Sequence, residues 1–468
     1  MTQRWEIPNF LETRNGRLHI DRVDAVELAR AHGTPLFVYS EQRIRHNIQR
    51  LQRVGDHIGC ALKLCYAAKA MSTMGILTAV KDADCDIEVN SGGELWKALN
   101  AGFTGDQIIF NGTSKQVWEI ELAINSAIYA VQVDSLYELS LIEEIAERLG
   151  KTANVSLRLV PEIEANTHSG LQTALLTSKF GMMPDEAFTA FTQYKDSRHL
   201  ALLGVHLHIG SQIPEGSPYT EALMSMFKCL LRIRDESGIE LQHINLGGGF
   251  PVNYLRDDAM AESIPAEQEE MFAADFEPAD AIRTAWAKVQ EFADENNAGE
   301  LLRNITLLLE PGRSIIADTS VCLTAVRNAK QRPTNGREGA IDHWLLTDAG
   351  FNLLLSMETY KWYYHLISAA RSGEPHETPY KLAGPLCDGG DVYFDIEGEG
   401  RLPDHRLLPQ DVNPGEILAL LNCGAYSLAQ ASQYNARFLP PVVLIKSDGT
   451  PTLIRRRDNF EDLITNDI

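Results

Sequence analysis

Leu62-Lys63-Leu64-Cys65-Tyr66-Ala67-Ala68-Lys69-Ala70 reads as a buried apolar strand that ends in a lysine among small residues. Burying a lysine costs free energy unless the group has a partner or a task. One reading is a lysine at a barrel mouth, its stem covered and its amine in water. The other is an amine pushed towards neutrality so that it can form a Schiff base. The stretch alone leaves both open.

Seven more apolar runs follow, at residues 85–89, 107–110, 128–133, 155–160, 202–209, 243–246 and 306–309. Most are separated by helical patterns, as at residues 93–100, 117–123, 136–149 and 222–237. Eight strands each followed by a helix predict an α/β chain with a (β/α)8 TIM barrel; a doubly wound open sheet is the alternative. Ahead of the barrel, residues 17–20 read as a strand and 23–32 as an amphipathic helix, closed by Gly33-Thr34-Pro35. Beyond about Val321 the texture changes to short strands at 344–347, 380–383, 392–395, 417–421, 442–445 and 452–454. Turn signals separate them and a helix-like insertion at 352–370 interrupts them, which predicts a β-rich barrel or sandwich. The expected organisation is a lead-in at 1–35 packing with the C-terminal domain, a barrel at 36–320, and a β domain at 321–468.

At 468 residues the chain is long enough for two domains. Its 44% hydrophobic and 23% charged residues are those of an ordinary globular protein. With 42 basic against 64 acidic residues, the net charge of −22 argues against nucleic acid or an anionic membrane as partner. Part of the acidity falls in 267–280, which reads as a solvated surface insertion. Seven scattered cysteines without a CxxC pair fit a reducing cytoplasm. The N-terminus has no signal-like apolar region and no segment could span a bilayer.

Active sites of (β/α)8 barrels form at the C-terminal ends of the strands. Here Lys69 ends the first strand, Glu88 lies near the end of the second, and Arg158 lies in the fifth. His206-Leu207-His208-Ile209-Gly210-Ser211 ends the sixth. Gly247-Gly248-Gly249-Phe250-Pro251 follows the seventh and Glu310-Pro311-Gly312-Arg313 the eighth. The triple glycine lets backbone N–H groups approach a phosphate, although a tight turn accounts for it equally well. Arg313 adds charge-assisted bonds nearby. Glu310 opposite a pyridine nitrogen would keep that nitrogen protonated. His208 is either a satisfied core histidine or a ring packed on a cofactor face. Lys69, a phosphate cradle and a central glutamate together describe a pyridoxal 5'-phosphate site.

Tyr66-Ala67-Ala68-Lys69-Ala70, Ser91-Gly92-Gly93-Glu94, His208-Ile209-Gly210-Ser211, the triple glycine, Glu310-Pro311-Gly312-Arg313, Gly384-Pro385-Leu386-Cys387-Asp388 and Gly424-Ala425-Tyr426 occur in that order. The set resembles the pyridoxal-phosphate decarboxylases of the alanine-racemase-like fold, which act on diaminopimelate, ornithine or arginine. The likeness covers nearly the whole chain. It implies that Lys69 carries the cofactor, that His208 stacks on its ring and that Glu310 meets its nitrogen. It implies further that Ser211, Gly247, Gly248, Gly249, Gly312, Arg313 and Tyr426 hold the phosphate, with Glu88 and Arg158 in the same pocket. Cys387 would reach in from a partner subunit as the acid that protonates Cα, in a homodimer with shared active sites. The residues agree: a thiol is a reasonable acid near neutral pH, and a polar glycine-rich loop is a poor place for a structural cysteine.

Diaminopimelate decarboxylases of this kind carry an Arg-Pro-x-x-Tyr segment whose arginine grips the distal carboxylate. After Asp348-Ala349-Gly350 this chain has Ser356 at the arginine's place and Tyr360 at the tyrosine's, and Asp388 follows Cys387. Losing a cation and keeping an acid suggests a distal ammonium, with Asp388 and Tyr360 lining the substrate side. Residues 381–391, the insertion after Asp348-Ala349-Gly350 and the tail Leu453-Ile454-Arg455-Arg456 most resemble bacterial D-ornithine/D-lysine decarboxylase, and the expected reaction makes a diamine and carbon dioxide. Diaminopimelate is the alternative, with Lys361 a candidate replacement cation. A racemase and a catalytically silent regulator are the further readings.

Overall fold

The structure, a computed structural model, describes residues 5–160, 178–255, 264, 266–334 and 339–468. The chain opens on a hairpin of β1 (Leu11–Arg14) and β2 (Arg17–Ile20), turned by Asn15 and Gly16 at φ 52° and 77°. Two consecutive residues with positive φ match the right-handed twist of the flanking strands. After β3 (Val23–Asp24), the Asp24 carboxylate caps helix Ala25–His32 by accepting from the Val26 and Glu27 N–H groups.

Eight parallel strands then close into a barrel. They are β5 (Ala61–Ala67), β6 (Asp86–Val89), β7 (Ile108–Phe110), β8 (Ala130–Val133), β9 (Ala153–Arg158), β10 (Leu200–His206), β11 (His243–Asn245) and β12 (Thr306–Leu309), preceded in the chain by β4 (Leu36–Ser40). Every barrel strand expected from the apolar runs is present. The register brings Leu309 opposite Leu64 and Ala67 opposite Glu88, so the polar strand ends share one rim. Local chemistry starts and stops the outer helices. Ser91 and Ser135 cap helices Gly92–Asn100 and Leu136–Leu149, and Gly150, at φ 62°, ends the second.

The chain divides into two compact units. The barrel unit is Arg45–Pro251 with Asp275–Ile315; the other is Met1–Ile44, Val252–Ala274 and Ile316–Ile468. In the second unit, β13 (Ser320–Pro333) pairs with β14 (Ile341–Thr347), with β4 and with β18 (Ile417–Leu421). β15 (Leu366–Ser368) adds to β18, β16 (Thr378–Ala383) to β14, and β17 (Arg406–Leu408) to β16. β19 (Val442–Ile445) lies beside β4 and pairs with β20 (Pro451–Arg455). Its core joins Phe10, Leu18 and Val26 to Val38, Val321, Leu421 and Val443.

Four expectations are corrected. The barrel does not begin at residue 36, because β4 pairs with β13 and β19 and belongs to the β-rich unit. Its five fully buried residues carry no sign of which sheet they join. Residues 352–370 are not a helix beyond Leu355–Thr359; Trp362, Tyr363 and Tyr364 are buried there, and β15 follows. Residues 392–395 form one bridge, Val392 to Ala383, and no strand. The acidic segment 267–280 is no solvated insertion, since buried Phe272 meets Trp362 edge-on at 5.2 Å. Among the described residues no helix is long and apolar enough to cross a membrane.

Gly204 on β10 lies against His243 on β11, and a Cβ there would overlap the imidazole ring and stand 2.6 Å from the His243 carbonyl oxygen. Gly204→Ala is therefore expected to destabilise the barrel by about 2 kcal/mol. A thermal midpoint lowered by roughly 5 °C in a calorimetric scan would register it.

Candidate active site

Glu310 follows β12 and is buried inside the barrel, where an ionised carboxylate survives only with donors. Asn245, ending β11, donates to Oε1 at 2.6 Å; Asn111, following β7, donates to Oε2 at 2.9 Å. His206, ending β10, places Nε2 3.4 Å from Oε2. Burial opposes ionisation of Glu310, but the His206 ring, the Asn245 bond and the Lys69 charge outweigh it and hold its pKa below the usual carboxylate range. Burial lowers the His206 pKa more than Glu310 raises it.

Glu88, on β6, has the opposite fate. The Asn111 amide also donates to its Oε1, at 2.7 Å, and its Oε2 is buried without a hydrogen-bond partner among the described residues. Burial pushes its pKa up to about 8, the Lys69 charge resists, and the Glu310 and Glu94 charges push further. Arg158 ends β9, buried, with its guanidinium 4.2 Å from the Phe180 ring centroid and Asp134, Glu310 and Glu88 balancing its charge.

Beside these groups lies an anion cradle. Gly247 and Gly249 sit at φ 68° and 95°. A Cβ on Gly247 would stand 2.6 Å from His208 Nδ1, one on Gly248 would overlap the Glu310 carbonyl, and one on Gly249 would stand 2.9 Å from the Gly210 carbonyl. Only glycine fits this approach. The Gly248 N–H donates to His208 Nδ1 at 3.1 Å, which leaves the proton of the neutral ring on Nε2. Burial and the charges of Lys69 and Arg158 keep His208 far below the usual imidazole pKa. Arg313, the residue after Gly312, donates from Nε to Ser211 Oγ at 3.1 Å.

Lys69 departs from one reading of its strand. It is exposed in the chain, because it occupies the one-turn 3-10 helix Ala68–Ala70 beyond β5, with both alanine neighbours buried. Its charge acts on Glu88, Glu310 and His208, so its amine belongs to the same cluster.

The remaining expected site residues lie in the β-rich unit. Cys387 and Asp388 are exposed on a loop whose anchor is Asp391, buried, accepting from the Leu386 and Phe351 N–H groups at 2.8 and 2.9 Å. The Cys387 N–H donates to Asn435 Oδ1 at 2.7 Å, and the Tyr434 hydroxyl donates to Asp388 Oδ2 at 3.3 Å. Tyr360 and Tyr426 are half-buried, Tyr426 at φ 58°. Ser356 is buried, and Lys361 is committed to Glu358 and Glu397, each at 3.2 Å. Sequence reasoning missed Asn111 and Asn245 and left His206 unassigned. The available signal was a polar residue at or just past the end of a buried strand.

A family profile described as "Pyridoxal-dependent decarboxylase, pyridoxal binding domain" matches residues 42–317. The diaminopimelate decarboxylase of Methanocaldococcus jannaschii is 34% identical over 464 residues, 98% of this chain and 96% of that protein. That of Bacillus subtilis is 31% identical over 98% of this chain and 96% of its own length. A crystal structure of the M. jannaschii enzyme with L-lysine aligns with a TM-score of 0.83 at 33% identity, covering 98% of each chain. The chain belongs to the pyridoxal-dependent decarboxylases. It is a carboxy-lyase that uses pyridoxal phosphate, with the barrel-plus-β-domain fold its motifs implied. The residues present fit that cofactor: an ionised buried carboxylate suits a ring cation, and the glycine cradle with Arg313 suits a phosphate ester. These relatives are diaminopimelate decarboxylases, which favours the alternative substrate over the D-ornithine or D-lysine preference.

The elevated Glu88 pKa has a consequence for this decarboxylase. Between about pH 4.5 and 8 the unfolded chain has given up the Glu88 proton while the folded chain keeps it, so this group makes stability fall as pH rises. Glu88→Gln removes that slope. From about pH 5 to pH 8 the variant's urea midpoint is expected to gain on the parent by roughly 2–4 kcal/mol in stability.

Proposed function

We propose that this chain releases carbon dioxide from meso-diaminopimelate and leaves L-lysine. The observation that carries the reading is near-full-length similarity, at 34% and 31% identity, to two diaminopimelate decarboxylases. The L-lysine bound in the M. jannaschii structure is in keeping with it.

Each residue then has a task. Lys69 holds the cofactor through its amine. Ser211, the Gly247–Gly249 turn, Gly312, Arg313 and Tyr426 bind its phosphate, the backbone N–H groups donating where the missing Cβ atoms leave room. Glu310, ionised among Asn245, Asn111 and His206, holds a proton at the ring nitrogen. His208, neutral and fixed by Gly248, packs against the ring face, and Arg158 balances the acidic pair. Pyridoxal phosphate, when bound, supplies an electron sink for the pair left as carbon dioxide departs. Cys387 delivers the proton that replaces the carboxylate on Cα, from a partner subunit of a homodimer; its exposure on an Asp391-anchored loop supports that placement. Asp388 and Tyr360 line the substrate's distal end.

One observation favours a second reading. Ser356 replaces the expected arginine and Lys361 is already paired with two glutamates, while Asp388 beside Cys387 remains exposed. That arrangement suits a distal ammonium, and the substrate would then be a basic diamino acid such as D-ornithine or D-lysine.

Purified, cofactor-loaded protein is expected to form L-lysine and carbon dioxide from meso-diaminopimelate, with Lys69→Ala inactive. Cys387→Ala should lower kcat by about 100-fold or more with KM little changed, the loss of a general acid. Turnover of D-lysine or D-ornithine with none of diaminopimelate would replace the first reading by the second.

A further inference from the structure

Asn111 lies between two buried carboxyl groups that no part of the reaction requires to be so close. Its Nδ2 donates to Glu88 Oε1 at 2.7 Å and to Glu310 Oε2 at 2.9 Å, so one amide nitrogen spans the gap between the two acids. A primary amide nitrogen has two hydrogens, and both are used. The two acids are otherwise unequal. Glu310 has a second donor in Asn245 and the His206 ring at 3.4 Å. Glu88 relies on Asn111 alone among the described residues, and its Oε2 is buried with no partner there.

Two like charges this close in a buried site do not both ionise, and such pairs commonly share one proton. A shared proton would spoil Glu310 for the task given to it above, since a half-protonated carboxyl holds a ring cation weakly. We propose that Asn111 is a positioning residue that keeps the pair split: Glu88 carries the proton, Glu310 carries the full negative charge, and the amide between them prevents direct proton sharing. The inference rests on the pyridoxal-phosphate reading of Glu310 and not on which amino acid is the substrate.

The balance is electrostatically consistent. Around Glu88 the charged and titratable groups are Lys69, Glu310, Glu94 and Arg158; around Glu310 they are Glu88, His206, His208, His243, Cys65, Lys69 and Arg158. Glu310 accepts from Asn245 and Asn111 and has the His206 ring beside it, whereas Glu88 accepts from Asn111 alone among the described residues, so Glu310 is the acid that ionises. Without Asn111, the protonated Glu88 could swing its O–H onto Glu310, and the split pair would become a dyad.

Infrared spectroscopy of the apoprotein reads the proton directly, without substrate or turnover. At pH 7 the parent is expected to show the carbonyl stretch of one buried, protonated carboxyl, absent from Glu88→Gln and lost on raising the pH past about 8. In Asn111→Ala that band should shift to lower frequency as the dyad forms. Pyridoxal phosphate should dissociate from Asn111→Ala about tenfold more readily. That excess should vanish in the Asn111→Ala/Glu88→Gln double variant, where an amide at position 88 has no carboxyl proton to share. Asn111→Ser, smaller but still a donor, guards against an alanine variant that fails to fold and should restore part of the affinity. A band that survives in Glu88→Gln, or is absent from the parent at pH 7, overturns the assignment of the proton. Unchanged cofactor affinity in both Asn111 variants overturns the positioning role. Because none of these readouts uses an amino acid, a mistaken substrate would leave them unaltered.

Discussion

Keeping one carboxylate ionised inside a barrel is the constraint on which this site depends. Glu310 is buried, and an unsupported charge there would take up a proton. Its support comes from Asn245 ending β11, Asn111 after β7 and His206 ending β10. Those elements meet at one point only when the barrel closes in its observed register, with Asn245 and Leu308 level across β11 and β12. The same closure lets Gly247 and Gly248 slide beneath His208 and the Glu310 backbone. Anion cradle and central acid are therefore consequences of one strand arrangement, and a slip in register would lose both.

Much of this was legible in the residues. Apolar runs located all eight barrel strands, because a strand buried on both faces reads as a short continuous run between turn signals. Lys69, the triple glycine, Glu310 and Arg313 were legible because their chemistry is unusual at a strand end. Asn111 and Asn245 were not, since an asparagine past a strand looks like any turn residue until the chain closes and shows what it faces. β4 escapes assignment for a related reason: five buried residues, Leu36–Ser40, fit a barrel wall or a sandwich core equally well. Residues 352–370 read as a helix-like insertion, whereas contacts of Tyr254 and Phe272 with Trp362 set the course of Trp362-Tyr363-Tyr364.

The substrate was the part least legible, and the reason is physical. Holding a cofactor requires many groups in fixed geometry, so many ordered motifs report it. Choosing between a distal ammonium and a distal carboxylate needs one or two charges, which any nearby loop can supply. Ser356 in place of an arginine is thus weak evidence beside similarity that spans 98% of the chain. The commitment of Lys361 to Glu358 and Glu397 removes one simple replacement and leaves the local chemistry in tension with the family comparison.

That tension follows from how the work is divided along the chain. The groups assigned to the cofactor sit mostly on strand ends of the barrel unit, where neighbours on both sides fix each side chain. Cys387, Asp388, Ser356 and Tyr360 belong to loops and a short helix of the β-rich unit, and the Cys387 loop is tied down by Asp391 with Leu386 and Phe351, by Asn435 and by Tyr434. A surface loop can exchange its exposed residues at little cost in stability, while a strand end in the barrel cannot. Substrate choice can therefore drift on this framework while the electron-sink chemistry stays fixed, and a single altered loop residue says less about the reaction than the intact set around Glu310.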